Sequence, residues 1–218
     1  MTSLPAAVLW DLDGTLIDSE NYWLQSEQEL ANAYGANWSH EDGMGMVGLS
    51  LQESTKIMQS HMGIQDRSSD EIIQWLTDRV LHQLRKEIPW RPGAKELLLE
   101  LRKAGVKTAL VTMSFRRLAL EVVEAIGFEA FDLVVAGDDV ERGKPHPEPY
   151  LKAAALLGVS AGDCVAIEDS LNGLASAEAA GTMALGVQHI MHLPPAPTRT
   201  VIQTLVGVSP EALLPLFK

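Results

Sequence analysis

Residues 6–15 read AAVLWDLDGT: five apolar residues run directly into Asp11-Leu12-Asp13-Gly14-Thr15. A short apolar run that ends at a glycine turn is the pattern of a buried strand. In an extended segment residues i and i+2 point the same way, so the carboxylates of Asp11 and Asp13 face one space. A lone D-x-D is usually a solvated turn. Here the strand before it and Gly14-Thr15 after it favour a pair aimed at a ligand. Such a pair offers two chemistries, since one carboxylate can attack phosphorus while the other handles protons.

Downstream, Ser19 is expected to cap a helix reaching about residue 34, with Glu20 in its first turn. Residues 50–62 and 69–86 also read as helices. Asp70 and Glu71 near the start of the second, and Arg85 and Lys86 near its end, suit the helix dipole. Pro89-Trp90-Arg91-Pro92-Gly93 then marks a boundary. Beyond it, strands are expected at 108–111, 133–136, 165–167 and 183–186, and helices at 94–104, 115–126, 147–157 and 171–180. That alternation predicts an α/β fold, a doubly wound, Rossmann-like parallel sheet with helices on both faces. The first strand belongs with the later ones. The chain therefore divides into an α/β catalytic core, 1–18 and 90–218, and a small α-helical cap, 19–89, inserted after the first strand. Residues 194–218 carry several prolines and read as two short helices at the core edge.

The 218 residues carry a formal charge of −12, which repels nucleic-acid backbones and anionic membranes, so neither is expected as a partner. The single cysteine, Cys164, excludes an intrachain disulfide. It lies in the apolar run Cys164-Val165-Ala166-Ile167 and reads as a buried structural thiol suited to a reducing compartment. The start, MTSLPAAVLWDLDG, has neither the basic residues nor the apolar stretch of a signal peptide. No segment approaches the ~18 uninterrupted apolar residues of a membrane span. A cytoplasmic protein, monomeric or weakly homo-oligomeric, is expected.

Ligands of an open parallel α/β sheet bind beyond the carboxyl ends of its strands. The residues at those ends are Asp11 and Asp13, Thr112 and Ser114, Asp138 and Asp139 with Lys144 following, and Glu168, Asp169 and Ser170. Asp11, Asp13, Glu168 and Asp169 in one place would repel one another without a cation, and oxygen-only ligands suit Mg²⁺ above all. Lys144 is either a surface lysine or the partner of a phosphate and the nucleophile. Thr112 is either a plain strand-end residue or, with the N–H groups of the next helix start, a phosphate holder. Ser114 and Ser170 read as helix N-caps.

Together DLDGT (11–15), LVT (110–112), GKP (143–145) and ED (168–169) resemble the haloacid dehalogenase superfamily of phosphotransferases, in its order and at its spacing. DLDGTLIDSE and GKPHPEPYLKAA bring the chain nearest to the β-phosphoglucomutase-like and sugar-phosphate phosphatase subgroup. The resemblance implies that Asp11 is the nucleophile and forms an aspartyl-phosphate. It implies that Asp13 protonates the leaving alcohol and then activates water. Mg²⁺ would be held by Asp11, the Asp13 backbone carbonyl and Asp169, with Glu168 direct or one step removed. Thr112 and Lys144 would bind the phosphoryl group of a small phosphorylated metabolite, and the helical insertion would set the substrate.

The departures point to hydrolysis. The mutases of the subgroup carry a histidine twelve residues after the nucleophile, and this chain has Trp23. Their cap loop carries a lysine and an arginine, whereas Val47-Gly48-Leu49-Ser50-Leu51-Gln52-Glu53 has no basic residue to grip a second phosphate. A phosphosugar mutase is the alternative. A 2-haloacid dehalogenase has no need of Asp13. A phosphate-accepting module without turnover is the non-enzymatic rival. Met113 stands where many relatives have asparagine, and Lys56 reads as a solvated helix residue.

Overall fold

Each strand end that matters for the site lies on one edge of a single parallel sheet. The computed structural model describes residues 4–47 and 49–217. The first strand, β1 (Ala7–Trp10), is buried along its length and pairs in parallel with β2 (Lys107–Val111) on one side and β4 (Cys164–Glu168) on the other. β3 (Leu133–Val135) extends the sheet beyond β2, and β5 (Met183–Val187) and β6 (Arg199–Ile202) extend it beyond β4. The order is β3-β2-β1-β4-β5-β6. Winding therefore reverses between β1 and β4, and a crevice opens at the carboxyl ends of those two strands.

The chain divides into two compact units, Met1–Asp18 with Pro89–Lys218, and Ser19–Ile88. In the first, Ala7 and Leu9 share a buried cluster with residues of α7 (Glu148–Leu157) and α8 (Leu171–Ala179), among them Tyr150, Ala153 and Leu174. By the two-residue period of a strand, Val8 and Trp10 point to the opposite face. The helices α5 (Ala94–Lys103) and α6 (Arg116–Ile126) complete the βα alternation beside β2 and β3. The segments that leave and re-enter this unit run together, with Asp18 N–H bonded to Pro89 O and Arg91 N–H to Leu16 O. Cys164 is buried in β4, its thiol 3.3 Å from Ser160 O and pushed up to about 11 by burial, as expected of a structural cysteine.

The tail differs from expectation. One of the two short helices forms, α9 (Pro210–Leu213), followed by a 3₁₀ turn, Leu214–Phe217. Residues 199–202 instead add a sixth strand beside β5. Thr200-Val201-Ile202 are β-branched and suit a pleated edge, and Arg199 is fixed to Glu178 of α8 by two 2.7 Å bonds. Four residues after a proline-rich stretch give too little periodicity to read in advance.

The second unit is helical throughout: α1 (Glu20–Ala33), α2 (His40–Met44), α3 (Leu51–Met62) and α4 (Ser69–Leu84). Ser39, Ser50 and Ser68 cap α2, α3 and α4 in reciprocal pairs with Asp42, Glu53 and Glu71. Ser19 does precede α1, but its side chain makes no capping bond. The α4 helix stops at Leu84, so Lys86 falls outside it and His82 is the basic residue of its last turn. Leu30, Trp38, Met58, Ile72 and Leu76 form the unit's own core, and Trp23 and Met46 pack partly buried against it. Lys56 is exposed, as a solvated helix residue should be. Gly48, in the loop that lacks basic residues, lies outside the described residues.

That core contains one buried carboxylate. Glu27 accepts from Trp38 Nε1 at 3.0 Å, and burial raises its pKa to about 7, against the Trp38 bond and with help from Glu20. Its folded pKa lies above its unfolded value. The stability it contributes is therefore complete below about pH 4.5 and is lost as pH rises through 7. Glu27→Gln keeps the acceptor and removes the charge. Thermal melts should show the variant gaining on the wild type by on the order of 2–3 kcal/mol between pH 5 and pH 8. Parallel pH profiles for the two proteins would contradict this.

Candidate active site

The β1–β4 ladder continues one step past Trp10, where Asp11 N–H bonds Ile167 O at 3.0 Å. The chain then turns tightly, with Leu12 O accepting from the N–H groups of Leu16 and Ile17 at 2.9 and 3.1 Å. Gly14 is required there on two counts. Its φ is +85°, and a Cβ would lie 2.1 Å from Asp169 Oδ2. The neighbouring Thr15 hydroxyl donates to Asp169 Oδ1 at 3.0 Å. A second glycine does the same for Glu168, since a Cβ on Gly173 would lie 2.0 Å from both of its carboxylate oxygens. Ser170 caps α8 by accepting from Gly173 N–H at 3.0 Å, as expected.

Lys144 is buried, its side chain only 5% exposed. Its ammonium spends its donors on Asp11 Oδ1 at 2.7 Å, Glu168 Oε1 at 2.6 Å and Val111 O at 2.8 Å. Of the two placements open to it, the structure shows the one beside Asp11. Asp13 is not among the three carboxylates whose oxygens cluster, and its carboxylate accepts from Ser114 Oγ at 2.7 Å. Ser114 is therefore not the N-cap of α6. Phe115 holds that position, and the Ser114 hydroxyl is committed to Asp13 because the chain is still extended there. Thr112, buried at the end of β2, accepts from Ser114 N–H at 2.9 Å, which leaves its own O–H to donate elsewhere. Asp138 and Asp139 do not join the group, since Arg116 engages them through its backbone N–H at 2.7 Å and its guanidinium at 2.5 Å.

Two further residues shape the site without having been singled out for it, Gly173 and Tyr150, whose hydroxyl donates to Glu168 Oε1 at 2.5 Å; Thr15 of DLDGT and Met113, whose Sδ accepts from Lys144 N–H at 3.3 Å, shape it as well. Tyr150 is visible in GKPHPEPY, but only the turn into α7 carries it back to Glu168. One motif occurs in letters alone: Gly158-Val159-Ser160-Ala161-Gly162 spells G-x-S-x-G. A nucleophile elbow needs a strand-to-helix turn. These residues instead lead from α7 into β4, at the opposite edge of the sheet, and Ser160 is exposed there.

Burial raises Asp11 to about 7, Glu168 adds to the rise, and Lys144 opposes it. Asp169 is raised well above the usual carboxylate range by burial and then by Asp11 and Glu168. Burial alone would lower the Lys144 ammonium, but Asp11 and Glu168 reverse that and hold it above its ordinary value. Asp11, Glu168 and Asp169 each offer an oxygen within 4.8 Å of the others. Ionised together, three carboxylates facing one ammonium would leave two negative charges over, and the donors are all hard oxygens. Charge and chemistry both fit a divalent cation such as Mg²⁺.

Residues 5–181 match the family of haloacid dehalogenase-like hydrolases. The chain belongs to this family. The hydrolase is 32% identical over 190 residues to a phosphorylated carbohydrates phosphatase of Thermotoga maritima, covering 85% of this chain and 87% of that one. It is 29% identical to a β-phosphoglucomutase of Bacillus subtilis, covering 83% and 82%. Among solved structures it resembles CbbY from Rhodobacter sphaeroides in complex with phosphate, with a TM-score of 0.84, 27% identity, and 94% and 96% of the two chains covered. These likenesses agree with the superfamily and subgroup that the four motifs resemble.

Gly173→Ala tests the packing behind Glu168. Alanine is ordinarily about 1 kcal/mol better than glycine inside a helix. Here the added methyl meets a buried carboxylate, so a net loss of about 1–3 kcal/mol is expected in denaturant unfolding. A stabilised variant would show that Glu168 does not occupy this place.

Proposed function

We propose that this hydrolase removes phosphate from a small phosphomonoester, a sugar or polyol phosphate, through an aspartyl-phosphate on Asp11. The observation that carries the reading is the Lys144 ammonium, buried between Asp11 and Glu168 at the switch point of the sheet. It supplies the local positive charge that a chain of net charge −12 otherwise denies an anionic substrate.

An Asp11 oxygen attacks phosphorus, and the P–O bond to the leaving alcohol breaks. Asp13 gives that alcohol its proton, then takes one from the water that attacks the acyl phosphate. Inorganic phosphate leaves and Asp11 is restored. The Ser114 hydroxyl holds the Asp13 carboxylate for both transfers. Lys144, by giving up one of its three present acceptors, and the Thr112 hydroxyl bind phosphoryl oxygens. Asp11, Asp169 and Glu168, with the Asp13 backbone carbonyl, would hold Mg²⁺. The ion, when bound, neutralises carboxylates and phosphate and so lets one anion approach another.

The Bacillus subtilis relative supports a mutase as the second reading. A mutase must retain a bisphosphorylated intermediate, and residues 47–53 contain no lysine or arginine for it. Hydrolysis is therefore preferred, and the Thermotoga maritima relative supports both it and the carbohydrate phosphate class. The net charge and the lone buried cysteine favour a cytoplasmic setting, as a monomer or weak homo-oligomer, away from nucleic acid and membrane. Among the described residues no helix is long and apolar enough to cross a membrane.

The experiment is phosphate release from p-nitrophenyl phosphate and a panel of sugar and polyol phosphates, with Mg²⁺ and with EDTA. Release is expected with Mg²⁺ and not with EDTA. Asp11→Asn should abolish it in a folded protein, and Asp13→Asn should lower it by about 10²–10⁴-fold on the alkyl phosphates. Turnover surviving in Asp11→Asn would eliminate the mechanism. Stable phospho-Asp11 without release in the wild type would identify a phosphate-accepting module instead.

A further inference from the structure

Tyr150 has no part in the steps above, although it touches the carboxylate knot at its centre. It sits in the first turn of α7 and is fully buried. Its hydroxyl donates to Glu168 Oε1 at 2.5 Å, the same oxygen that accepts from Lys144 Nζ at 2.6 Å. The ammonium also lies 5.1 Å from the centroid of the Tyr150 ring, so the phenol meets both members of the pair. Glu168 Oε2 has a longer contact, 3.3 Å from Ser170 Oγ. Oε1 thus carries two short donors. The carboxylate itself is packed against Gly173. Burial and the charges of Glu168 and Asp11 keep the phenol protonated and so keep it a donor.

We propose that Tyr150 sets metal selectivity: together with Lys144 it occupies Oε1 of Glu168, so that an ion at Asp11, Glu168 and Asp169 receives one Glu168 oxygen and never two. The inference rests on the ligand set proposed above. Mg²⁺ takes single oxygens in a compact octahedron, whereas Ca²⁺ takes six to eight and gains from carboxylates that offer both oxygens. Withholding an oxygen costs Ca²⁺ the more. Tyr150 acts through Glu168 and is a positioning residue. A tyrosine that merely satisfies its hydroxyl in the core would have no effect on the ratio of the two affinities.

The test is calorimetric titration of the wild type and Tyr150→Phe with Mg²⁺ alone and with Ca²⁺ alone, without substrate. The wild type is expected to bind Mg²⁺ at least about tenfold more tightly than Ca²⁺. In the variant that ratio should fall by about tenfold, a change of the size that partners of metal ligands exert. An unchanged ratio, including one in which both affinities weaken equally, overturns the inference while leaving the phosphatase reading intact. A wild type that binds neither ion overturns the ligand set and the inference with it. Phosphate release measured on the same protein tells these two failures apart. Should the variant not fold, the wild-type ratio decides: equal affinities overturn the inference, and a tenfold preference for Mg²⁺ supports it.

Discussion

A single buried ammonium bridges two of three crowded carboxylates. Asp11, Glu168 and Asp169 place oxygens within 4.8 Å of one another. At an effective dielectric constant near 20, each such pair of charges repels by about 3–4 kcal/mol. Lys144, at 2.7 and 2.6 Å from two of the three, offsets much of that. The excess of negative charge that full ionisation would leave suits a divalent ion. Asp11 and Glu168 come from different strands and Lys144 from a loop before α7. The knot therefore exists only when β1, β4 and α7 are assembled, and the interaction that would bind substrate also joins the two halves of the sheet.

Backbone without side chains makes this crowding possible. Gly14 and Gly173 leave the space into which Asp169 and Glu168 are pressed. Each carboxylate then gains a hydroxyl donor from nearby, Thr15 for Asp169 and Tyr150 for Glu168. Buried charges in such a site persist because their hydrogen bonds are supplied, not because burial favours them. The helical unit follows a different economy. Serine–acid capping boxes begin three of its helices, and it closes a core of its own around Trp38 and Leu76.

Much of this was legible in the chain. The apolar runs that became β1, β2, β4 and β5 were read within a residue or two, because strands of a parallel sheet are apolar on both faces and stand out from polar turns. The boundary at Pro89–Gly93 was legible for the same local reason. The elements that escaped were short or marginal: α2, with five residues, and β6, with four. Ser114 was misread because a serine before a helix ordinarily caps it, and only the approach of Asp13 from 101 residues away redirected its hydroxyl.

Sequence by itself determined the family, through the resemblance of four motifs, and also the order of the strands' polar ends and which residue types would converge at one edge, which follow from local periodicity and the rules of parallel sheets. It left Lys144 suspended between surface and site, and Glu168 between ion and neighbour. Tertiary structure placed both side chains. It buried Lys144 against Asp11 and Glu168, and it gave Oε1 of Glu168 to Lys144 and Tyr150. Such choices depend on distances of a few tenths of an ångström between residues tens of positions apart. Sequence spacing carries no record of them, because hydrogen-bond partners inside a core are selected by packing.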